Sequence, residues 1–376
     1  MIDCESFYNL LIDNDIDFFT GVPDSLLNDF CAYIFDNTDD KKNIIAANEG
    51  NAVALAAGHY LATGKIGLVY MQNSGQGNAA NPLISLADPD VYSIPLLLLI
   101  GWRGEPGKKD EPQHVKQGRI TLDFLDVLGI QYKVLTGSAE DAEMNLKHAV
   151  GIMKEKSCPF ALVIPKGIFE SYKLKNKKED QFELLREEAI KIVIDHIGQR
   201  DIVVSTTGMT SRELFEYREQ LGYDHSRDFL TVGSMGHSSQ IALAIALAKP
   251  ERRVICLDGD GALIMHMGAL STIASKQPEN FKHIVINNGA HDSVGGQPTA
   301  GFDIDIPKIA QACGYKSTFT AVNKKVLLEI LPAFLAEKGP ALLEIKTGKG
   351  ARENLGRPTT TPIENKVAFM KFLQAD

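Results

Sequence analysis

Gly259-Asp260-Gly261 stands between two apolar segments, and Asn287-Asn288 follows it after 25 intervening residues. Arg253-Val254-Ile255-Cys256-Leu257 leads into the tripeptide, and His283-Ile284-Val285-Ile286 leads into the asparagines. Short apolar runs of this kind predict strands. A carboxylate at the end of such a strand sits where open α/β sheets bind ligands. The neighbouring glycines let the backbone approach a phosphate closely. Asp260 and an asparagine side chain offer hard oxygen ligands, suited to Mg2+ rather than to a soft metal. The combination describes a diphosphate held through a divalent cation. Gly-Asp-Gly alone also occurs as a plain turn; the flanking strands and a helical segment, 263–275, favour the ligand reading.

A second constellation lies in the other half of the chain. Glu49 opens the segment Asn48-Glu49-Gly50-Asn51-Ala52-Val53-Ala54-Leu55-Ala56-Ala57-Gly58-His59-Tyr60. This helix is built almost wholly of small apolar residues, has no polar face, and is expected to be buried. The helix dipole favours a carboxylate at its start, which is the purely structural role for Glu49. The chemical role is proton transfer, because burial favours a carboxyl that keeps its proton. Two glycine-rich turns follow strand-like runs: Gly233-Ser234-Met235-Gly236-His237, and Asn73-Ser74-Gly75-Gln76-Gly77-Asn78. Thr207-Gly208-Met209-Thr210 follows another, and a helix cap is the competing role there.

These residues need two sheets to hold them. Strands are predicted at 17–20, 44–47, 66–71, 96–100, 132–135 and 160–164, then at 202–205, 229–232, 254–257, 283–286 and 341–345. Helical periodicity fills the gaps, for example over 6–14, 139–156 and 241–248. Continuous apolar strands alternating with helices indicate two doubly wound parallel α/β sheets. The Lys-, Glu- and Asp-rich stretch from 173 to 188 reads as a linker entering a helix. Domains are therefore expected at 1–172 and 189–376. The 376 residues carry a net charge of -9, which argues against a general nucleic-acid surface. No run approaches a membrane span, and Met1 to Glu5 does not begin a secretory signal. The five cysteines show no Cys-x-x-Cys pairing and are expected to be reduced, in a cytoplasmic protein.

The strand, Asn-Glu, small-residue-helix pattern and the Gly-Asp-Gly…Asn-Asn pattern together resemble the thiamine-diphosphate-dependent enzymes. The resemblance covers nearly the whole chain and implies the thiamine-diphosphate-binding fold. It implies a pyrimidine-binding half at 1–172 and a diphosphate-binding half at 189–376, with no room for the third domain that many members carry. Glu49 would then hydrogen-bond N1′ of the aminopyrimidine. Gly233 and Met235 would cup that ring, and Thr207 and Gly208 would line the cofactor. Gly261 and Ala262 would contact the diphosphate. Asp260, Asn288 and the carbonyl of Ala290 would hold Mg2+. In this family the two halves of one site come from different chains, so at least a homodimer is expected.

The missing third domain points to the two-domain decarboxylases that act on phosphonopyruvate or sulfopyruvate. Gly21-Val22-Pro23-Asp24-Ser25-Leu26-Leu27 resembles their amino-terminal motif. Arg352-Glu353-Asn354-Leu355-Gly356-Arg357-Pro358 resembles the carboxyl-terminal signature of the phosphonopyruvate branch. A substrate with a carboxylate and a phosphonate calls for cationic or amide donors. Ser25, Lys108 and Arg352 are the candidates, with Lys349 and Arg357 beside the last. For each basic residue a solvated surface charge is the alternative, and for Ser25 a helix cap. His114, in a Pro- and Gly-rich loop after a buried strand, is the expected proton relay, with a surface histidine as the alternative. Three rival readings remain: a sulfopyruvate or broader 2-oxo acid decarboxylase, a carboligase, and a non-catalytic nucleotide-binding module.

Overall fold

The computed structural model describes residues 1–176 and 181–375. The chain divides into two compact units, Met1–Lys178 and Glu179–Asp376, and the division falls inside the charged stretch at 173–188. Helix Arg186–Asp195 begins within that stretch.

The first unit is a six-stranded, all-parallel sheet. Its strands are β1 (Phe19–Gly21), β2 (Asn43–Ile45), β3 (Gly67–Gln72), β4 (Leu96–Gly101), β5 (Gln131–Val134) and β6 (Phe160–Ile164), in the order β2-β1-β3-β4-β6-β5. The central strands β4 and β6 are buried at every position. Both faces are covered by helices, so those strands carry continuous apolar runs rather than an alternating pattern.

The second unit repeats the arrangement. Its strands are β7 (Ile202–Ser205), β8 (Asp228–Leu230), β9 (Val254–Gly259), β10 (Phe281–Asn287), β11 (Ser317–Ala321) and β12 (Ala341–Lys346), in the order β11-β12-β10-β9-β7-β8. Read from the other edge this is β8-β7-β9-β10-β12-β11, the same winding as the first sheet. The strand β11 is an addition to the sequence expectation. It is an edge strand of mixed polarity, Ser-Thr-Phe-Thr-Ala, mostly half-exposed, so it carries no apolar run.

Two helical expectations need correction. The segment 263–275 is two helices, Asp260–Met265 and Ala269–Lys276, broken at His266 to Gly268. Helix Glu49–Thr63 is not covered all round within the chain: Ala54 and Gly58 are exposed and Leu61 is 71% exposed. Four of the cysteines are buried and Cys313 is half-buried; all five are free. Among the described residues no helix is long and apolar enough to cross a membrane.

Candidate active site

In the first unit the chemistry gathers at the carboxyl ends of β1 to β4. Asn48 caps helix Glu49–Thr63, its side chain accepting the amide of Asn51 at 2.9 Å. That cap sets Glu49 as the first helical residue, where a carboxylate meets the positive end of the dipole. Glu49 is buried, and Asn78 Nδ2 donates to its Oε2 at 2.8 Å. The turn after β3 closes over it. A Cβ on Gly75 would lie 2.5 Å from Glu49 Oε1, so a side chain there would push the Glu49 carboxyl aside.

The turn after β1 and the segment after β4 form a neighbouring cluster. Arg103 donates to Asp110 through Nε at 2.8 Å and Nη2 at 2.5 Å, and to Ser25 Oγ through Nη1 at 2.7 Å. Asn73 links the cluster to the turn beside Glu49, since its Nδ2 donates to the Arg103 carbonyl at 2.8 Å. Ser25 is not a cap: helix Asn28–Asn37 has Leu27 at its cap position and no side-chain cap bond. Lys108 faces outward and pairs with Glu105 at 2.6 Å. His114 is not in a loop but in the first turn of helix Pro112–Val127, because Pro112 starts that helix. It is buried, its Nδ1 has no partner among the described residues, and burial with nearby Arg103 depresses its pKa to about 4.

Asp24 was not singled out from the sequence. It is fully buried, and a Cβ on Gly101 would come within 2.0 Å of its Oδ2. Burial pushes its pKa up to about 6, against the pull of the Leu26 amide and Arg103. Its Oδ1 has no partner among the described residues. The available signal was its place in Gly21 to Leu27, directly after a predicted strand.

In the second unit the same strand ends carry different groups. Thr207 Oγ1 accepts the Gly233 amide at 3.0 Å, tying the turns after β7 and β8 together. Thr207 therefore braces a neighbouring turn, and helix Met209–Gln220 has no side-chain cap bond. Gly208 and Gly233 have φ of 96° and 71°, a region in which glycine is unstrained. Met235 reaches toward Gly261: its Cε would be 3.4 Å from a Cβ placed there.

Asp260 is the first residue of helix Asp260–Met265 and is buried. Burial raises its pKa to about 6; Thr299 and the amides of Asn288 and Gly261 pull it the other way, and among the described residues no Lys, Arg or His is ion-paired with it. A buried carboxylate without a counter-charge fits a divalent cation beside it, because an isolated buried charge is costly. Asn288 Oδ1 accepts the Ala290 amide at 3.1 Å, so Asp260, Asn288 and Ala290 lie along one connected stretch. Asn287 is occupied otherwise: its Nδ2 donates to Gly301 O and to Glu344 Oε1, both at 2.7 Å. Arg352 pairs with Glu187 at 3.1 Å and with Glu216, an engagement the sequence did not suggest.

One further group of metal-type donors lies together among the described residues: Cys256, Asp258 and His283, within 4.8 Å of one another. All three are fully buried, and His283 is shared between Asp258 Oδ2 at 3.3 Å and the Tyr315 hydroxyl at 3.1 Å. That is a satisfied core network.

Two like-wound parallel sheets, one presenting a buried glutamate and the other a buried aspartate with a following Asn-Asn turn, define a thiamine pyrophosphate enzyme. Residues 4–127 match the model of the thiamine pyrophosphate enzyme N-terminal TPP binding domain, and residues 205–345 match that of the C-terminal TPP binding domain. Phosphonopyruvate decarboxylase of Streptomyces viridochromogenes is 33% identical over 94% of this chain and 90% of its own length. Its namesake from Streptomyces hygroscopicus is 32% identical over 94% and 89%. Sulfopyruvate decarboxylase of Methanosarcina acetivorans is 29% identical over 91% and 90%. The chain belongs to this family of two-domain thiamine-diphosphate-dependent decarboxylases and is a carboxy-lyase.

Proposed function

We propose that this enzyme decarboxylates 3-phosphonopyruvate to phosphonoacetaldehyde and CO2, with thiamine diphosphate and Mg2+, as a step of phosphonate biosynthesis. The observation that carries the substrate choice is the match to phosphonopyruvate decarboxylases over both halves of the chain. Sulfopyruvate is the second reading, favoured by a relative that also spans the chain.

Thiamine diphosphate, when bound, supplies a thiazolium that accepts the electron pair released as CO2 leaves. The protein's residues do the rest. Glu49, oriented by Asn78 and enclosed by Gly75, holds a proton at N1′ of the aminopyrimidine. The Gly233 carbonyl and the Met235 amide and side chain grip that ring, with Thr207 and Gly208 beside them. Asp260, Asn288 Oδ1 and the Ala290 carbonyl hold Mg2+, and the amides of Gly261 and Ala262 meet the diphosphate. Asp24, its pKa raised to about 6 by burial, and His114, kept neutral by burial, are the groups beside Arg103 and Ser25 that handle the proton delivered to the product carbon. Ser25, with Arg103 behind it, receives an acid group of the substrate. Lys108 and Arg352 reach the substrate only by leaving Glu105 and Glu187, so their share is smaller.

The exposed apolar side of helix Glu49–Thr63, at Ala54, Gly58 and Leu61, supports self-association of at least two chains, with each active site made at a subunit interface. The substrate reading is tested by CO2 release from phosphonopyruvate, sulfopyruvate and pyruvate, with and without cofactor and Mg2+. Phosphonopyruvate is expected to be strongly preferred. Preference for either other acid would keep the chemistry and overturn the substrate.

A further inference from the structure

A largely buried ionic network, which the decarboxylation chemistry does not itself require, joins the loop between β10 and helix Ile306–Cys313 to helices Arg186–Asp195 and Met209–Gln220. Asp292 Oδ2 accepts three donors: Asn288 Nδ2 at 2.7 Å, Arg186 Nη1 at 2.9 Å and the Gly350 amide at 2.9 Å. Arg186 is 6% exposed and spends the rest of its fork on Glu213, through Nε at 2.9 Å and Nη2 at 3.1 Å, and on the Gly350 carbonyl at 3.2 Å. Glu213 is 1% exposed. Two carboxyl groups share one guanidinium in a largely buried place. Such a cluster is rarely a source of stability. Its use must lie in what it orients.

What it orients is an amide. The two ends of an asparagine side chain have nearly the same shape, so only the surrounding hydrogen bonds decide which way it faces. Here the Asp292 carboxylate receives the NH2 end of Asn288, and the Ala290 amide donates to the oxygen end. A flipped amide would set its oxygen against a carboxylate and its NH2 against an N–H. We propose that Asp292, clamped by Arg186 and Glu213, is a positioning residue that fixes the carbonyl oxygen of Asn288 as the face offered to the cation. The same Asp292 oxygen holds Gly350, so it also anchors the start of the carboxyl-terminal segment that carries Arg352. Thr299, in the same loop, donates to Asp260 Oδ2 and fixes the other side-chain ligand in parallel. Groups that orient ligands commonly contribute about tenfold to hundredfold to metal affinity.

This inference rests on Asn288 being a ligand, and the test separates the two claims. Mn2+ affinity is measured by electron paramagnetic resonance on the full chain with saturating thiamine diphosphate. Asn288→Ala tests the ligand: unchanged Mn2+ affinity would remove the ligand reading and the positioning role with it. Asp292→Ala is expected to weaken Mn2+ binding about tenfold to hundredfold. Asn288→Asp alone is also expected to weaken it, because the new carboxylate faces Asp292. The two combined are expected to recover affinity to within about threefold of the original, because a carboxylate has two equivalent oxygens and needs no orienting partner. A merely structural Asp292 would give additive losses instead, and additive losses would overturn the proposal. So would an Asp292→Ala protein with unchanged Mn2+ affinity. Should Asp292→Ala fail to fold, Asp292→Asn replaces it in the same cycle, with the same recovery expected beside Asn288→Asp.

Discussion

The two units share one winding and almost nothing else. In each, the first four strands of the unit point their carboxyl ends at the functional residues. After the second strand of the winding, the amino-terminal unit places Glu49, while the carboxyl-terminal unit places the turn at Gly233 to Gly236. After the third, one places the turn that encloses Glu49 and the other places Asp260. After the fourth, one places Arg103 and then His114, and the other places Asn288. In the proposed function one scaffold carries the proton-handling groups and the other the ligands for a charged cofactor. The difference lies in side chains at the strand ends, as expected when function resides in sites built on a common fold.

The sharpest way to break this contrast is to disable each unit separately. Asp260→Asn is expected to abolish metal-dependent cofactor binding, with activity lower by at least about a hundredfold at ordinary Mg2+. Chains carrying Asp260→Asn co-expressed with chains carrying Glu49→Gln are expected to regain part of the activity, since a mixed oligomer with the proposed shared sites would contain some with both residues intact. No recovery would show that each chain completes its own site.

A pair of glycines in one turn sharpens the contrast further. Gly75→Ala drives a methyl into the Glu49 carboxyl, whereas Gly77 has nothing within 4 Å of a new Cβ. Turnover is expected to fall about a hundredfold for the first, as for other misplacements near 1 Å. It is expected to be unchanged for the second, which sits in a helix where alanine is the better former. Ser25→Ala is expected to raise KM for phosphonopyruvate about tenfold, the cost of one hydrogen bond to a charged group. Lys108→Ala, which removes an exposed partner of Glu105, should change it by less than about threefold.

A further expected effect concerns stability. Asp24 ionises near 3.8 when unperturbed and near 6 in the folded protein. Between those values the folded state keeps a proton that the unfolded chain has lost. Stability therefore falls as pH rises from about 4 to about 6 and stays lower above that range. Asp24→Asn cannot ionise and can still accept the Leu26 amide. Its melting temperature is expected to gain on that of the wild type across this window, by up to roughly 3 kcal/mol in free energy, and to show no relative gain below about pH 4.

Legibility in the sequence followed burial. The strand β6 is wholly apolar, and β7 is apolar up to its last residue, Ser205; both were readable residue by residue, because strands covered on both faces carry long hydrophobic runs. The edge strand β11 offered Ser-Thr-Phe-Thr-Ala and no such signal. The break at His266 was equally silent, since no proline marks it. Among candidate site residues, Glu49 and Asp260 were legible because an acid beside glycine and apolar runs is out of keeping with its neighbours. Asp24 stood in a quoted motif, but its solitude depends on Gly101, far along the chain. Arg186, Glu213 and Asp292 meet only through the folding of the second unit. The partners of Lys108 and Arg352 were likewise invisible, because a surface charge looks the same in sequence whether it is free or paired.

In the proposed function, proton handling belongs to the first unit and cofactor holding to the second. Glu49→Gln tests it most directly, with thiamine diphosphate affinity in Mg2+ and turnover of phosphonopyruvate measured on the same preparation. The expected result is affinity within about threefold of the wild type and turnover lower by about 10²–10⁴-fold, the usual loss of a positioned acid–base group. Unchanged turnover, or affinity and turnover lost together, would contradict the division of labour.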